Sequence, residues 1–127
     1  MKIINKILVL GFHFVNLALI SFYLYPGSLL GYFLYNNSSM QPQITRDFFI
    51  SANHFYGFIA LSILGVFAYH NTKKIRFLII YLFLLSIILE LLHVIIPIRT
   101  FEWMDLFGNL LGVILVVIIY KIKEKHV

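Results

Sequence analysis

ELLHVIIPIRTFEWMDLFGNLLG, residues 90–112, concentrates charged and polar side chains within an otherwise apolar sequence. Pro97 predicts the end of one helix, because proline lacks the N–H that continues the helical hydrogen-bond ladder. A second apolar run begins near Trp103. The segment therefore predicts a helix, a turn and another helix, with the polar groups gathered around the turn.

The composition is that of a membrane protein. Of the 127 residues, 61% are hydrophobic and 12% are charged, whereas a soluble domain is about half apolar and about a quarter charged. There are no cysteines, which excludes disulfides, thiolate metal sites and a cysteine nucleophile. The net charge of +5 comes with lysines that flank apolar runs, so it indicates membrane orientation and anionic headgroups, and no nucleic-acid partner is expected.

Four apolar runs have the length of a membrane-spanning helix, which is about 20 residues. A stretch at residues 28–46 follows Pro26 and Gly27, and its apolar part is too short to span. It predicts an interfacial or re-entrant segment, with an ordinary loop as the alternative. The fold class is therefore an all-α bundle of four transmembrane helices. The predicted spans are Ile7–Tyr25, Phe48–Tyr69, Phe77–Ile96 and Trp103–Tyr120.

Basic residues predict the orientation of the bundle. Cytoplasmic loops carry an excess of Lys and Arg. Three clusters of basic residues fall on one side of the spans, whereas the other side has only Arg46 and Arg99. Both termini are therefore predicted to be cytoplasmic, in a multi-pass membrane protein. The three clusters are Lys2 with Lys6, Lys73 with Lys74 and Arg76, and Lys121 with Lys123 and Lys125.

The spacing of the polar residues shows which of them share one face of a helix. Asp105 and Asn109 are four residues apart and Gly112 follows three later, so all three share one helix face, and Glu90 shares a face with His93 in the same way. Ionisable groups inside a bilayer are costly, so each is a candidate for a functional site.

The predicted topology brings these faces to one depth. Glu90 lies thirteen residues after Phe77, which places it about 20 Å along its helix and in the outer third of a hydrocarbon core about 30 Å thick. The second and fourth spans descend from the same outer face. We therefore expect six polar side chains to converge near the outer surface: His54, Glu90, His93, Arg99, Asp105 and Asn109.

Three chemistries suit such a cluster. Nucleophilic catalysis would need a serine or cysteine, and only Ser51 and Thr100 are nearby. A set of histidines and carboxylates could bind a metal, and Glu-x-x-His occurs in di-iron bundles, but a single such pair is a weak signal, so no metal site is assigned and no cofactor is identified. General acid–base work by His54 or His93 is the third possibility.

Arg99 has two alternative roles. Its planar guanidinium could bind an anionic headgroup through two parallel hydrogen bonds. Alternatively, it pairs with Glu90, Glu102 or Asp105 and holds the turn, because a buried charge needs a partner. The residues alone leave both roles open.

The spacing from Arg99 to Gly112 resembles the hallmark segment of the VanZ-like family, with Arg, then Asp six residues later, Asn four later and Gly three later. Asp105 and Asn109 occupy the middle positions without a gap. Upstream, Glu90 matches the family's Glu-x-x-Gln, with His in place of Gln.

His54 resembles the histidine of the family's Asp-Lys-x-x-His motif, although Ile50 and Ser51 stand at the Asp and Lys positions. The resemblance is strongest over residues 45–120 and implies a single domain over residues 1–127. It implies a small helical membrane protein of bacteria, whose namesake is associated with teicoplanin resistance. That association belongs to the family and is not transferred to this chain.

Together these observations predict an outer-leaflet polar site that binds or acts on a cell-envelope lipid or a lipid-linked anionic headgroup. His54, Glu90, His93 and Asp105 are the candidate catalytic residues, and Arg99 and Asn109 are the candidate ligand-binding residues. The alternative is a non-enzymatic membrane factor in which the cluster is structural or binds a partner protein. The sequence decides neither between enzyme and non-enzyme nor the oligomeric state.

Overall fold

Five α-helices make up most of the structure, a computed structural model that describes residues 2–127. Four of them are long and apolar enough to cross a membrane, and no β-strand occurs among these residues. The predicted all-α bundle with four spanning helices is therefore confirmed. The helices are α1 (Ile3–Leu24), α2 (Leu29–Tyr35), α3 (Ala52–Tyr69), α4 (Ile75–Leu92) and α5 (Trp103–His126).

The spanning helices are apolar on their outer faces as well as in the core. Buried side chains from all four helices form one hydrophobic cluster that includes Phe12, Phe58, Leu82 and Val113. Large apolar side chains also point outward, and Phe77 is 74% exposed. A helix that is hydrophobic all round is typical of a membrane span, because lipid replaces water on its outer face.

The closest helix pair is α3 with α5. Two glycines of α5 permit this approach: a Cβ on Gly108 would lie 2.8 Å from the carbonyl oxygen of Ser51, and one on Gly112 would lie 2.7 Å from that of Phe55. Small residues let helix backbones approach closely in membranes, where packing drives association. Gly112 thus faces the same helix as Asp105 and Asn109, as their spacing predicts.

The segment between α1 and α3 contains a short helix. Ser28 caps α2 by accepting a hydrogen bond from the N–H of Gly31 at 2.9 Å, and Asn36 ends it in the left-handed conformation. The chain then returns to α3, where the Asn53 side chain donates to the carbonyl of Pro42 at 2.6 Å. The outward aromatic side chains of this helix agree with an interfacial segment.

The second span begins later than the apolar run suggests. Its first helical residue is Ala52, not Phe48, because the Ala52 N–H donates to the Asp47 carboxylate at 2.9 Å. The N–H of Ser51 donates to the carbonyl of Met104 at 3.1 Å, which joins this entry segment to α5. Hydrophobicity alone does not mark this boundary, because Phe48 and its neighbours are apolar outside the helix.

Three other boundaries also differ from the apolar runs. The third span stops being α-helical at Leu92, where the next three N–H groups bond three residues back, in tighter turns that lead to Pro97. The first begins at Ile3, and the last continues to His126. Lys and Glu are good helix formers, so these helices extend past the apolar segment into polar sequence.

The bundle has two chemically different ends. The end formed by the last turn of α1, the first turns of α3 and α5 and the last turn of α4 is called the site end. The opposite end, called the lysine end, carries the α3–α4 turn together with the start of α1 and the end of α5. Its basic residues are Lys2, Lys6, Lys73, Lys74, Arg76, Lys121, Lys123 and Lys125.

Gly112→Ala is expected to destabilise the protein by about 1–3 kcal/mol, because the added methyl group would force the α3 and α5 backbones apart. The measurement is thermal unfolding of the purified protein in detergent. Gly11→Ala is the control, because a Cβ at Gly11 meets nothing within 4 Å and alanine favours the helix by about 1 kcal/mol. Equal loss of stability in both variants would contradict close packing at Gly112.

Candidate functional site

The side chain of Asn109 joins all four spanning helices. Its amide nitrogen donates to the carbonyl of Ser86 on α4 at 3.0 Å. This bond fixes the amide orientation, so the amide oxygen points the other way and can only accept. That oxygen accepts from the hydroxyl of Tyr23 on α1 and lies 3.2 Å from Nδ1 of His54 on α3. Asn109 is fully buried, so these contacts satisfy a group that has no access to water.

The hydrogen bonds around His54 assign its tautomer. The Tyr23 hydroxyl donates its hydrogen bond to the amide oxygen of Asn109. The Tyr23 oxygen lies 2.9 Å from Nδ1 of His54 and therefore acts as an acceptor toward it. Both neighbours of Nδ1 are then acceptors, which places the ring proton on Nδ1. Nε2 of the neutral ring carries a lone pair and lies 3.5 Å from Oδ2 of Asp105.

Glu90 connects the last turn of α4 to the start of α5. Its Oε1 accepts from the backbone N–H of Glu102, the residue before α5, at 3.0 Å. A carboxylate at a helix N-terminus is favourable because the helix dipole is positive there. The other oxygen, Oε2, lies 3.2 Å from Nδ1 of His93 and 3.9 Å from Nδ1 of His54. Neither Glu90 nor His93 is accessible to solvent.

His93 is held against α1. Its Nε2 donates to the carbonyl of Tyr23 at 3.0 Å, and its ring stacks on the ring of Tyr23 with centroids 5.6 Å apart. The Nε2 proton is committed to this carbonyl, so a neutral His93 presents a lone pair at Nδ1 toward Glu90. His93 therefore joins the end of α4 to the end of α1, with its Nδ1 facing Glu90.

Arg99 binds the end of α1 and none of the carboxylates. Its Nε donates to the carbonyl of Tyr25 at 3.2 Å, and its Nη2 donates to those of Phe22 and Gly27 at 2.9 and 2.6 Å. The last carbonyls of a helix lack intrahelical donors, and a positive charge there is favourable. Partial burial lowers the pKa of the Arg99 guanidinium, and the charge of Asp105 opposes that shift. No ion pair links Arg99 to Glu90, Glu102 or Asp105 within residues 2–127.

Five of the six predicted residues meet in one cluster, which we call the polar cluster: His54, Glu90, His93, Asp105 and Asn109. Arg99 lies at the same end of the bundle but is directed at α1. The predicted bidentate binding of an anion by Arg99 stays a prediction, and the structure already assigns two of its nitrogens to backbone carbonyls. The catalytic and binding roles of the other residues are likewise predictions.

Tyr23 contacts the polar cluster and is a residue of the site that the sequence did not single out. It is buried and contacts His54, His93 and Asn109. A tyrosine near the end of a spanning helix is commonly explained by the interfacial aromatic belt. Its residue type and position therefore did not distinguish Tyr23 from an ordinary interfacial tyrosine. Its helical register with His13 and Asn16 was a usable signal, because both of these also bond to neighbouring helices.

The arrangement leaves one edge of the cluster accessible. The side chains of His54 and Asp105 are 16% and 18% exposed, whereas Glu90 is 0% exposed. A ligand would therefore reach Nε2 of His54 and the Asp105 carboxylate first. An imidazole nitrogen with a lone pair beside a carboxylate can accept a proton from a bound hydroxyl or water.

Comparison with known proteins assigns the family. A family profile described as VanZ/LLP1 matches residues 5–124, nearly the whole chain. The protein belongs to the VanZ/LLP1 family. No curated protein and no solved structure matches the chain.

The VanZ/LLP1 match is longer than the resemblance over residues 45–120. It begins at residue 5 and so includes all of α1 except its first residues, together with Tyr23. The polar cluster of this VanZ/LLP1 protein therefore lies wholly within the matched region.

Arg99→Lys is expected to lower the free energy of unfolding by roughly 1–3 kcal/mol, because one ammonium group cannot replace a planar fork that reaches three carbonyls. The measurement is thermal or denaturant unfolding in detergent. Arg76→Lys, at an exposed position on the first turn of α4, is the control. Unchanged stability in Arg99→Lys would mean that the carbonyl contacts contribute little and would favour the ligand-binding role.

Proposed function

We propose that this VanZ/LLP1 protein lies in the bacterial inner membrane with the site end at the outer leaflet, and that the polar cluster binds or acts on the head group of a cell-envelope lipid or lipid-linked precursor. The observation that carries the proposal is the accessible edge of the cluster. His54 and Asp105 present an imidazole nitrogen and a carboxylate 3.5 Å apart at the end of an apolar bundle. Ionisable groups at such a position are costly and are typically functional.

The surroundings of the cluster favour an amphiphilic ligand over a small soluble one. The outward faces beside the site end are apolar: Phe22 is 37% exposed, Ile98 85% and Trp103 65%. A lipid can place its chains against these faces while its head group reaches the cluster. Asp105 would accept hydrogen bonds from hydroxyl or amine groups, His54 would handle a proton, and the charge of Arg99 would attract a phosphate.

A structural role for the cluster is the second candidate. It is favoured by the contacts of Asn109, His93 and Arg99, each of which bonds to a backbone carbonyl of another helix. A non-enzymatic factor would need these contacts only for folding. Asp105 separates the two candidates, because its carboxylate bonds to no backbone group of residues 2–127 and instead faces the side chains of Ser51 and His54, with Nε2 of His54 3.5 Å away.

The orientation of the bundle has a direct test. We expect both termini to face the cytoplasm, because the basic residues of the lysine end are favoured on that side. A reporter that is active only in the periplasm, fused after Val127, should be inactive, and a cytoplasmic reporter at the same site should be active. The reverse result would place the polar cluster at the cytoplasmic surface and would refute an outer-leaflet site.

Asp105→Asn is expected to reduce the lipid that co-purifies with the protein by about tenfold or more, because a hydrogen bond to a charged group contributes about 1.5–3 kcal/mol. The measurement is lipid per protein by native mass spectrometry of the full chain in mild detergent. The melting temperature should stay close to wild type.

Glu102→Gln is the matched control, since it changes an exposed carboxylate at the same end and keeps the backbone N–H that bonds to Glu90. It should retain lipid like wild type. A loss of stability without a loss of lipid in Asp105→Asn would support the structural candidate instead.

A further inference from the structure

Three potential metal ligands come together at the site end from three different helices. His54 on α3, Glu90 on α4 and Asp105 on α5 each offer one ligand atom, and these atoms lie within 4.8 Å of one another. The set combines one imidazole nitrogen with two carboxylate oxygens. Zn²⁺ and similar first-row divalent ions favour such mixed ligands, whereas Mg²⁺ and Ca²⁺ favour oxygen alone.

The buried carboxylate provides an independent observation. Oε2 of Glu90 accepts no hydrogen bond from residues 2–127, although Glu90 is inaccessible to solvent. Nδ1 of His93 is only 3.2 Å away, but the contact lacks hydrogen-bond geometry, and the His93 proton is committed to the carbonyl of Tyr23. A buried anionic oxygen without a donor is costly, because nothing replaces the hydrogen bonds that water would give it. This oxygen is directed into the cluster.

Both carboxylates therefore face the unprotonated side of a neutral imidazole. Asp105 faces Nε2 of His54, whose proton is on Nδ1, and Glu90 faces Nδ1 of His93, whose proton is on Nε2. The facing lone pairs lie 3.5 Å apart between His54 and Asp105 and 3.2 Å apart between His93 and Glu90. Each pair repels unless a positive charge lies beside it. Arg99 makes no ion pair with either carboxylate among residues 2–127: its hydrogen bonds are with the end of α1, and its charge acts on Asp105 and Glu90 only from a distance.

We propose that the polar cluster binds a divalent transition-metal ion through Nε2 of His54, a carboxylate oxygen of Asp105 and Oε2 of Glu90. Two ligand atoms at about 2.0–2.2 Å from a tetrahedral Zn²⁺ lie about 3.3–3.5 Å apart, which matches the 3.5 Å between His54 and Asp105. Oε2 of Glu90 now lies 3.9 Å from Nδ1 of His54 and must move toward Nε2 to reach the same ion. The fourth position would open toward the exposed edges of His54 and Asp105.

The surrounding contacts are those that metal ligands require. Metal-binding histidines almost always donate their other ring N–H to an oxygen, which fixes ring orientation. His54 does this through Nδ1 toward Asn109 and Tyr23. Glu90 is held in the same way by the backbone N–H of Glu102 on Oε1, which leaves Oε2 for the ion. These contacts exist independently of any lipid, so the metal proposal does not rest on the proposed function.

The test is metal content of the purified full chain in detergent. The protein is stripped with a chelator, incubated with excess Zn²⁺, desalted and analysed by elemental mass spectrometry together with thermal unfolding. Wild type should retain one zinc ion per chain and melt at a higher temperature with Zn²⁺ than with chelator. Asp105→Asn and His54→Gln should retain less than about a tenth of the wild-type zinc, because each loses a ligand.

Matched controls distinguish this site from surface binding. Glu102→Gln changes a neighbouring carboxylate and His70→Gln changes an exposed histidine at the lysine end, and both should bind zinc like wild type. All variants are compared at equal melting temperature in chelator, which separates ligand loss from unfolding. Absence of retained zinc in wild type would overturn the proposal. Equal zinc in wild type and Asp105→Asn would also overturn it.

Discussion

The carboxamide of Asn109 is the contact on which the site end depends. It touches Ser86, Tyr23 and His54, so one buried side chain on α5 bonds to each of the other three spanning helices. In hydrocarbon no water is present to hydrogen-bond such a group, and an unsatisfied donor or acceptor there costs several kcal/mol. The arrangement of the four helices that satisfies Asn109 is consequently also the one that assembles the polar cluster.

Close packing of α3 against α5 makes that arrangement possible. The 3.2 Å contact between Asn109 and His54 requires the α3 and α5 backbones to be near each other, and Gly108 and Gly112 provide the space on either side of Asn109 along the helix. Polar bonding and small-residue packing therefore reinforce each other. At the turn before α5, Ile98 adopts φ 68°, a conformation that costs a β-branched residue about 1–3 kcal/mol. The three carbonyl contacts of Arg99, the next residue, offset that strain.

Much of the fold follows from the sequence, because lipid makes hydropathy a strong constraint. Four spans and the polar face of α5 were predictable from apolar length and from the spacing of Asp105 and Asn109. Their meeting with His54 was predictable from depth. The register of Tyr23 with His13 and Asn16 indicated an inward face, but the partners of Tyr23 and the direction of Arg99 depend on how α1 packs against α4, which the sequence pattern does not specify. The predicted boundary near Phe48 was wrong because the bond from the Ala52 N–H to Asp47 starts α3 later. The one near Ile96 was wrong because the N–H groups after Leu92 bond three residues back.

The polar groups fall into two sets, according to whether they bond to backbone atoms of other elements. Arg99, Asn109, His93 and Oε1 of Glu90 bond to backbone atoms of other elements, so the fold itself accounts for them. Three groups make no such bond to the backbone: Nε2 of His54, the Asp105 carboxylate and Oε2 of Glu90. A bundle that needed only cohesion would lose nothing if these atoms were replaced by apolar groups of similar volume, because a buried ionic group adds little net stability. Their presence, directed at one another in a rigid frame, is what the proposed head group or metal ion would account for.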